Sequence, residues 1–220
     1  MSIKLYKHLV MLLICGVLLL SGCFQKQTKE EQIYNLLESV ASTEQMFEEQ
    51  QNPLVDLEKN EKTLYDKIIA LGKKEQGKIN QLSDQALQNI KKRKEHMQKE
   101  QDSMEASEKE FKKLDQLLED IKDEKEKKKA ETLRQTMKDR YKMHDELYAN
   151  YNKGLEYDKE LYILFKNKNT TINQLEEQIV KINQTYEIVI SNNENFNKLT
   201  KKYNEEKIAF YKEAKINVEK

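Results

Sequence analysis

Residues 172–214 read INQLEEQIVKINQTYEIVISNNENFNKLTKKYNEEKIAFYKEA. Steps of three and four from Ile172 land on Leu175, Ile179, Ile182, Tyr186, Val189, Asn193, Phe196, Thr200, Tyr203, Lys207, Phe210 and Ala214. Most of these are apolar, which is the spacing of one buried stripe on an α-helix. Thr171, with Gln174 three residues on, reads as a capping box that opens the helix. This is the best stripe in the chain, and the stretches before it repeat the pattern.

Working back, Met137, Tyr141, His144, Tyr148, Tyr151, Leu155, Asp158, Tyr162 and Phe165 form a second seam, ended by the polar segment Asn167 to Thr171. A third runs Ile79, Ser83, Ala86, Ile90, Arg93, Met97, Glu100, Met104, Ser107, Phe111, Leu114, Leu118 and Ile121. Arg93, Glu100 and Ser107 fall on it, so its middle should be thin or wet. A fourth runs Ile33, Leu36, Val40, Thr43, Phe47, Gln50, Leu54, Leu57, Glu61, Leu64, Ile68 and Leu71. It keeps phase through Pro53, which favours a kinked continuous rod over a break there, although Asn52-Pro53 also fits a cap with a first-turn proline.

Gly72 and Gly77 bracket Lys-Lys-Glu-Gln and mark the clearest break. Lys122 to Lys129 are all charged and suit a turn or a solvated stretch of helix; even spacing argues for the turn. With a break at 166–171, four rods of about 42–48 residues result, each roughly 65–70 Å long. The expected fold is all-α: a long up-and-down antiparallel helical bundle of about four rods with coiled-coil-like packing. Pairing of longer helices between chains has the same sequence signature. Composition agrees, since 35% of residues are charged, with 5 Gly and 1 Pro, too few turn residues for a sheet-rich fold.

The N-terminus carries a different signal. Lys4 and Lys7 precede an apolar run from Leu9 to Leu20, about twelve residues, too short to span a bilayer and suited to a signal peptide. It ends at Leu20-Ser21-Gly22-Cys23, which matches a bacterial lipobox. Ser21 and Gly22 are small enough to fit a peptidase site beside the bilayer, and the Cys23 thiol takes a diacylglyceryl group as a thioether. The expected division is residues 1–22 as a removed signal peptide, 23–29 as a lipidated tether and 30–220 as the helical domain. Two acyl chains such as palmitate suffice for stable anchoring. Cys15 leaves with the signal, so no disulfide and no thiolate metal site is available to the mature chain.

The chain holds 39 basic and 39 acidic residues; without Lys4 and Lys7 the basic count is 37. No global basic field of the kind that drives nucleic-acid binding is present. His144 and Asp158 are two heptads apart, about 21 Å along a helix, too far to share a metal or a proton. No nucleotide fingerprint, zinc-protease helix or nucleophile elbow occurs. Neither a metal, a cofactor beyond the Cys23 lipid, nor an enzymatic activity is expected, and a chain of rods offers few places for a concave pocket.

Two surface features remain. Aromatic faces stack on sugar rings, and tyrosines cluster at Tyr141, Tyr148, Tyr151, Tyr157 and Tyr162. Those on the seam also suit a bundle core. Tyr157, off the seam, and then Tyr148 and Tyr151, are the candidate glycan contacts. Lys91, Lys92 and Lys94 are candidate polyanion contacts, against the plainer reading of a solvated helix face.

Lipobox, short tether and Lys/Glu-rich helical array together resemble the YkyA family of cell-wall-binding lipoproteins of Gram-positive bacteria. The resemblance covers the whole mature chain and carries over one functional residue, Cys23. It implies a helical bundle held on the outer face of the cell membrane and in contact with peptidoglycan or associated polymers. The alternative expectation is an extracytoplasmic scaffold or chaperone-like adaptor for another exported protein.

Overall fold

The structure is a computed structural model that describes residues 27–71 and 75–216. Leu20, Ser21, Gly22, Cys23 and the signal segment lie outside the described residues, as does Gly72. Six helices follow in order: α1 Lys29–Thr43, α2 Gln45–Ala70, α3 Gln76–Phe111, α4 Leu114–Glu119, α5 Glu124–Lys166 and α6 Ile172–Glu213. They form an all-α bundle of four long rods, the first made by α1 and α2 and the second by α3 and α4.

Local chemistry sets the starts. Thr28 and Glu31 cap α1 reciprocally, and Thr171 and Gln174 cap α6 in the expected box. The Asp123 carboxylate accepts from the backbone N–H groups of Lys125 and Glu126, at 2.8 and 3.1 Å, and opens α5. The charged run at 122–129 is therefore split. Residues 121–123 lie outside the helices, and 124–129 are the first turns of α5.

Cross-helix pairs give the register. Thr43, Gln51 and Glu61 meet Ser103, Glu100 and Arg93 between the first two rods. Tyr141, Tyr148 and Tyr151 meet Ser107, Gln98 and Arg93 between α3 and α5. Arg140 and Asp158 meet Thr200 and Tyr186 between α5 and α6. In each set one number rises as the other falls, so neighbouring rods are antiparallel.

α2 is one helix through Pro53, as phase retention suggested, and the first rod breaks instead at Glu44. The cause is a side chain from another helix. The Ser103 hydroxyl donates to the Thr43 carbonyl at 2.7 Å and accepts from the Phe47 N–H at 3.2 Å. It sits where a direct Phe47-to-Thr43 helical bond would lie, and such insertions bend helices. Glu44 is then held by Arg140 through two bonds of 2.8 and 2.7 Å.

The core has two halves. One packs Ile33, Leu37, Phe111, Leu114, Leu133 and Phe210 where α1 to α6 converge. Full burial of such side chains stabilises by about 1.5–3 kcal/mol each. The other packs Leu64, Ile68, Ile90, Leu155 and Tyr162. Between and within them lie the polar seam residues Arg93, Glu100, Ser107 and Arg140, all buried. The third stripe, expected to be thin or wet in its middle, has buried polar side chains there.

One expectation is corrected here. The stripe of α6 is not buried along its length. Ile172 is 63% exposed, and Leu175, Ile179 and Ile182 are only half-buried. Stripe spacing predicts which residues share a face; it does not guarantee a partner. Beyond the Glu44 break α2 stands away from α6, and the bundle is closed at one end and parted at the other.

Candidate functional site

The parting is a cleft of about 950 Å³ with walls from α2 and α6 and a floor from α3 and α5. It contradicts the expectation that such rods leave few places for a concave pocket. Leu54, Val55, Ile179, Ile182, Val189 and Ile190 make the apolar walls. On α2 it runs from Phe47 to Tyr65 and on α6 from Ile179 to Asn197, about 27 Å at the helical rise.

The floor is ionic. Arg93 is 4% exposed; its guanidinium faces four groups closely and lies 3.7 Å from a fifth, Glu58. Nε donates to the Tyr151 hydroxyl at 2.9 Å, and one terminal nitrogen donates to the Tyr186 hydroxyl at 3.0 Å. The other terminal nitrogen bonds Glu61 and lies 3.3 Å from Asp158. Tyr186 in turn donates to Asp158, and Tyr151 donates to Glu58 at 2.7 Å. The guanidinium also lies 5.0 Å from the Tyr151 ring centre, within cation–π range.

Burial pushes the Glu61 carboxyl up to about 7 against the pull of Arg93, and it raises Asp158 as well. Burial, with Glu58 nearby, pushes Glu100 up to about 8. Glu100 is 2% exposed and differs from its neighbours in having no cation against it among the described residues. Its one side-chain bond is from the Gln51 amide at 2.6 Å.

Just beyond the end of the cleft, His144 is fully buried between Phe47 and Phe196, with ring centres 5.6 and 5.5 Å away. Neither ring nitrogen has a partner, and burial together with the Arg140 charge lowers its pKa to about 4. It is a neutral core side chain at neutral pH.

Tyr186 is held in place by Gly154 of α5. A Cβ at Gly154 would lie 3.0 Å from the Tyr186 ring carbon that bears the hydroxyl. Gly154→Ala gains helix propensity of about 1 kcal/mol, but Tyr186 is anchored to Arg93 and Asp158 and cannot withdraw freely. The expected net result is a loss of about 1–2 kcal/mol from overpacking, read as a lower denaturation midpoint in urea.

The sequence candidates are scattered. Tyr151 is buried in the cleft floor. Tyr148 is half-buried and donates to Gln98 at 2.7 Å, outside the cleft. Tyr157, chosen as the most exposed, is half-buried beneath Lys153, whose ammonium lies 5.8 Å from its ring centre. The three do not make one aromatic platform. Lys91, Lys92 and Lys94 are exposed, with Lys94 3.1 Å from Glu156 and Lys91 4.0 Å from Glu95. Arg93, in the same basic run, points the other way into the core.

Sequence reading missed the cleft as a site. Two signals for it existed. Glu61, Arg93, Glu100 and Asp158 are charged residues on three different seams, and antiparallel rods bring them to neighbouring levels. Ile188-Val189-Ile190 is a run of apolar residues wider than one stripe can bury.

Among the described residues no helix is long and apolar enough to cross a membrane, and no group of His, Cys, Asp and Glu is placed to hold a metal ion. Fold and cleft thus define an all-α antiparallel bundle with one long groove over an ionic floor. Residues 28–213 match the family model YkyA, described as "Putative cell-wall binding lipoprotein". The chain belongs to the YkyA family, as its sequence resemblance implied. It is 38% identical over 203 residues to the uncharacterized lipoprotein YkyA of Bacillus subtilis strain 168, covering 92% of this chain and 91% of the relative. A crystal structure of a conserved protein of unknown function from Staphylococcus aureus has the same fold, with a TM-score of 0.74 over 86% of this chain and 98% of that one, at 19% identity.

Proposed function

We propose that this lipoprotein is anchored through lipid on Cys23 to the outer face of the cell membrane and holds a cell-wall polymer in the cleft between α2 and α6, by binding and without catalysis. The observation that carries the reading is the cleft itself, a long open groove with apolar walls and a charged floor in a chain of this family. A groove open along its length suits a polymer, which enters from the side and needs no free end. Among the described residues the lining has no serine, threonine, cysteine or histidine to serve as nucleophile or imidazole base. Glu61 and Asp158 are held by Arg93, which favours a fixed recognition surface over acid–base turnover.

The test is retention of the intact protein, in mild detergent, on purified cell walls. Wild type is expected to be retained well above a charge-matched helical control. Val55→Arg and Ile190→Arg place charge on exposed apolar walls and are expected to lower retention about fivefold or more, roughly 1 kcal/mol. Retention no better than the control overturns the reading.

The adaptor reading has one observation in its favour. Val180, Ile188 and Ile190 of α6 and Val55 of α2 are about half exposed on and around the cleft. Such apolar surface also suits a segment of another exported protein. Crosslinking on living cells that recovers one protein partner, with no wall retention, would favour it.

A further inference from the structure

Glu100 is the feature of the cleft that its own fold leaves unexplained. A carboxylate this buried ordinarily has a cation or several donors against it. Arg93 has Glu61 and Asp158, with Glu58 3.7 Å away; Arg140 has Glu44. Glu100 has the Gln51 amide on one oxygen, and its other oxygen has no hydrogen-bond partner among the described residues. It lines the cleft, next to Glu58, which also lines it and is half exposed. Across the floor Glu58, Glu61, Glu100 and Asp158 face one buried cation, Arg93, while Lys62 stands at the exposed rim beside Asp66. The floor lacks positive charge, and Glu100 is the floor carboxylate with no ion pair to Arg93.

Length limits the occupant further. An extended chain of about eight residues spans the cleft's length of about 27 Å. Glu100 lies opposite Gln51, toward the Phe47 end, so such a chain carries its cation toward that end.

We propose that the cleft binds the short peptide of the wall polymer rather than its glycan, and that Glu100, with Glu58, receives the free amino group of that peptide as an ammonium ion. This rests on the wall-binding reading above and names the part of the polymer that is held. Neutral N-acetylated sugars carry no charge to answer Glu100, whereas a stem peptide with an unlinked lysine side chain does. The apolar walls at Leu54, Val55 and Ile190 lie against the side-chain methylenes and alanine methyls. Lys62 at the rim meets the peptide's carboxylate end. The raised pKa of Glu100 in the empty cleft agrees with a group that ionises fully once a cation arrives.

The test uses intact protein in mild detergent and three probes. They are a stem pentapeptide with a free lysine ε-amine, the same peptide with that amine acetylated, and an N-acetylglucosamine tetramer. Affinity is measured by calorimetry, with wall retention measured in parallel. The free-amine peptide is expected to bind, and acetylation to weaken it about tenfold or more, in line with losing a buried charge pair. Glu100→Gln is expected to weaken the free-amine form and leave the acetylated form unchanged, so the discrimination collapses. Glu58→Gln, at a more exposed site, gives a smaller loss and serves as a second check. Equal binding of the two peptides, or binding of the sugar tetramer without the peptide, overturns the inference. If walls are still retained in that case, the wall-binding reading survives; if walls are not retained either, both fall.

Discussion

Arg93→Met is expected to destabilise the protein by about 3–5 kcal/mol, the cost of breaking a buried charge cluster from one side. Arg93 is 4% exposed and bonds Glu61, Asp158, Tyr151 and Tyr186, so its loss leaves two buried carboxyls without a cation. Methionine fills the space, which makes lost charge rather than lost volume the cause. Urea denaturation followed by far-ultraviolet circular dichroism measures it. The deficit is expected to shrink at pH 5, where the freed Glu61 and Asp158 carboxyls take up protons. Adding Glu61→Gln and Asp158→Asn is expected to recover most of the loss, because neutral amides can be buried at lower cost. A single substitution costing less than about 1 kcal/mol would mean that water already solvates the floor.

Glu100→Gln is expected to do the reverse and stabilise the empty protein. Burial raises the Glu100 carboxyl from 4.5 to about 8. A group with a raised folded-state pKa binds a proton more tightly when folded. Its stabilisation is fully present below about 4.5 and is lost as pH rises toward about 8. By pH 7 wild type has given up about 3 kcal/mol at this site, on the order of 1.4 kcal/mol per pH unit. Glutamine does not titrate, so the variant is expected to be more stable by about that amount at pH 7 and similar to wild type near pH 4. Glu61 titrates in the same direction and His144 in the opposite one, between its ordinary value of 6.5 and about 4. Both are present in the two proteins, so the difference curve isolates Glu100. A flat difference from pH 4 to pH 8 would show that the carboxyl is solvated. A substitution that stabilises the fold and weakens binding is the pattern of a residue kept for its ligand.

Much of the fold was legible in the sequence because helical spacing is a local property. The seams of the first three rods are buried nearly residue for residue, down to Gln50, Glu61, Ser83 and Arg93. What was not legible depends on other helices. The break at Glu44 comes from Ser103, a residue about 60 positions away that enters the backbone ladder. The exposure of Ile179 and Ile182 follows from where α2 goes after that break, and nothing in their own stripe records it. The cleft was half legible: its charged seam residues were visible as seam faults, and the step from fault to site required knowing which of them share a level. The tyrosines show the opposite failure. Tyr148, Tyr151 and Tyr157 are close in sequence, yet one lies in the cleft floor and two outside it.

The break at Glu44 has a consequence for reach. Helix α1 is closed against the other rods, and the groove begins only after it, at Phe47. Measured along the rod from Lys29, the groove starts about 27 Å away and ends near 54 Å. With lipid on Cys23, the closed end acts as a pedestal. A molecule confined to the headgroup layer lies below the opening of an upright rod, and a polymer strand passing several nanometres above the bilayer lies level with it. The stand-off distance itself then selects what can be held.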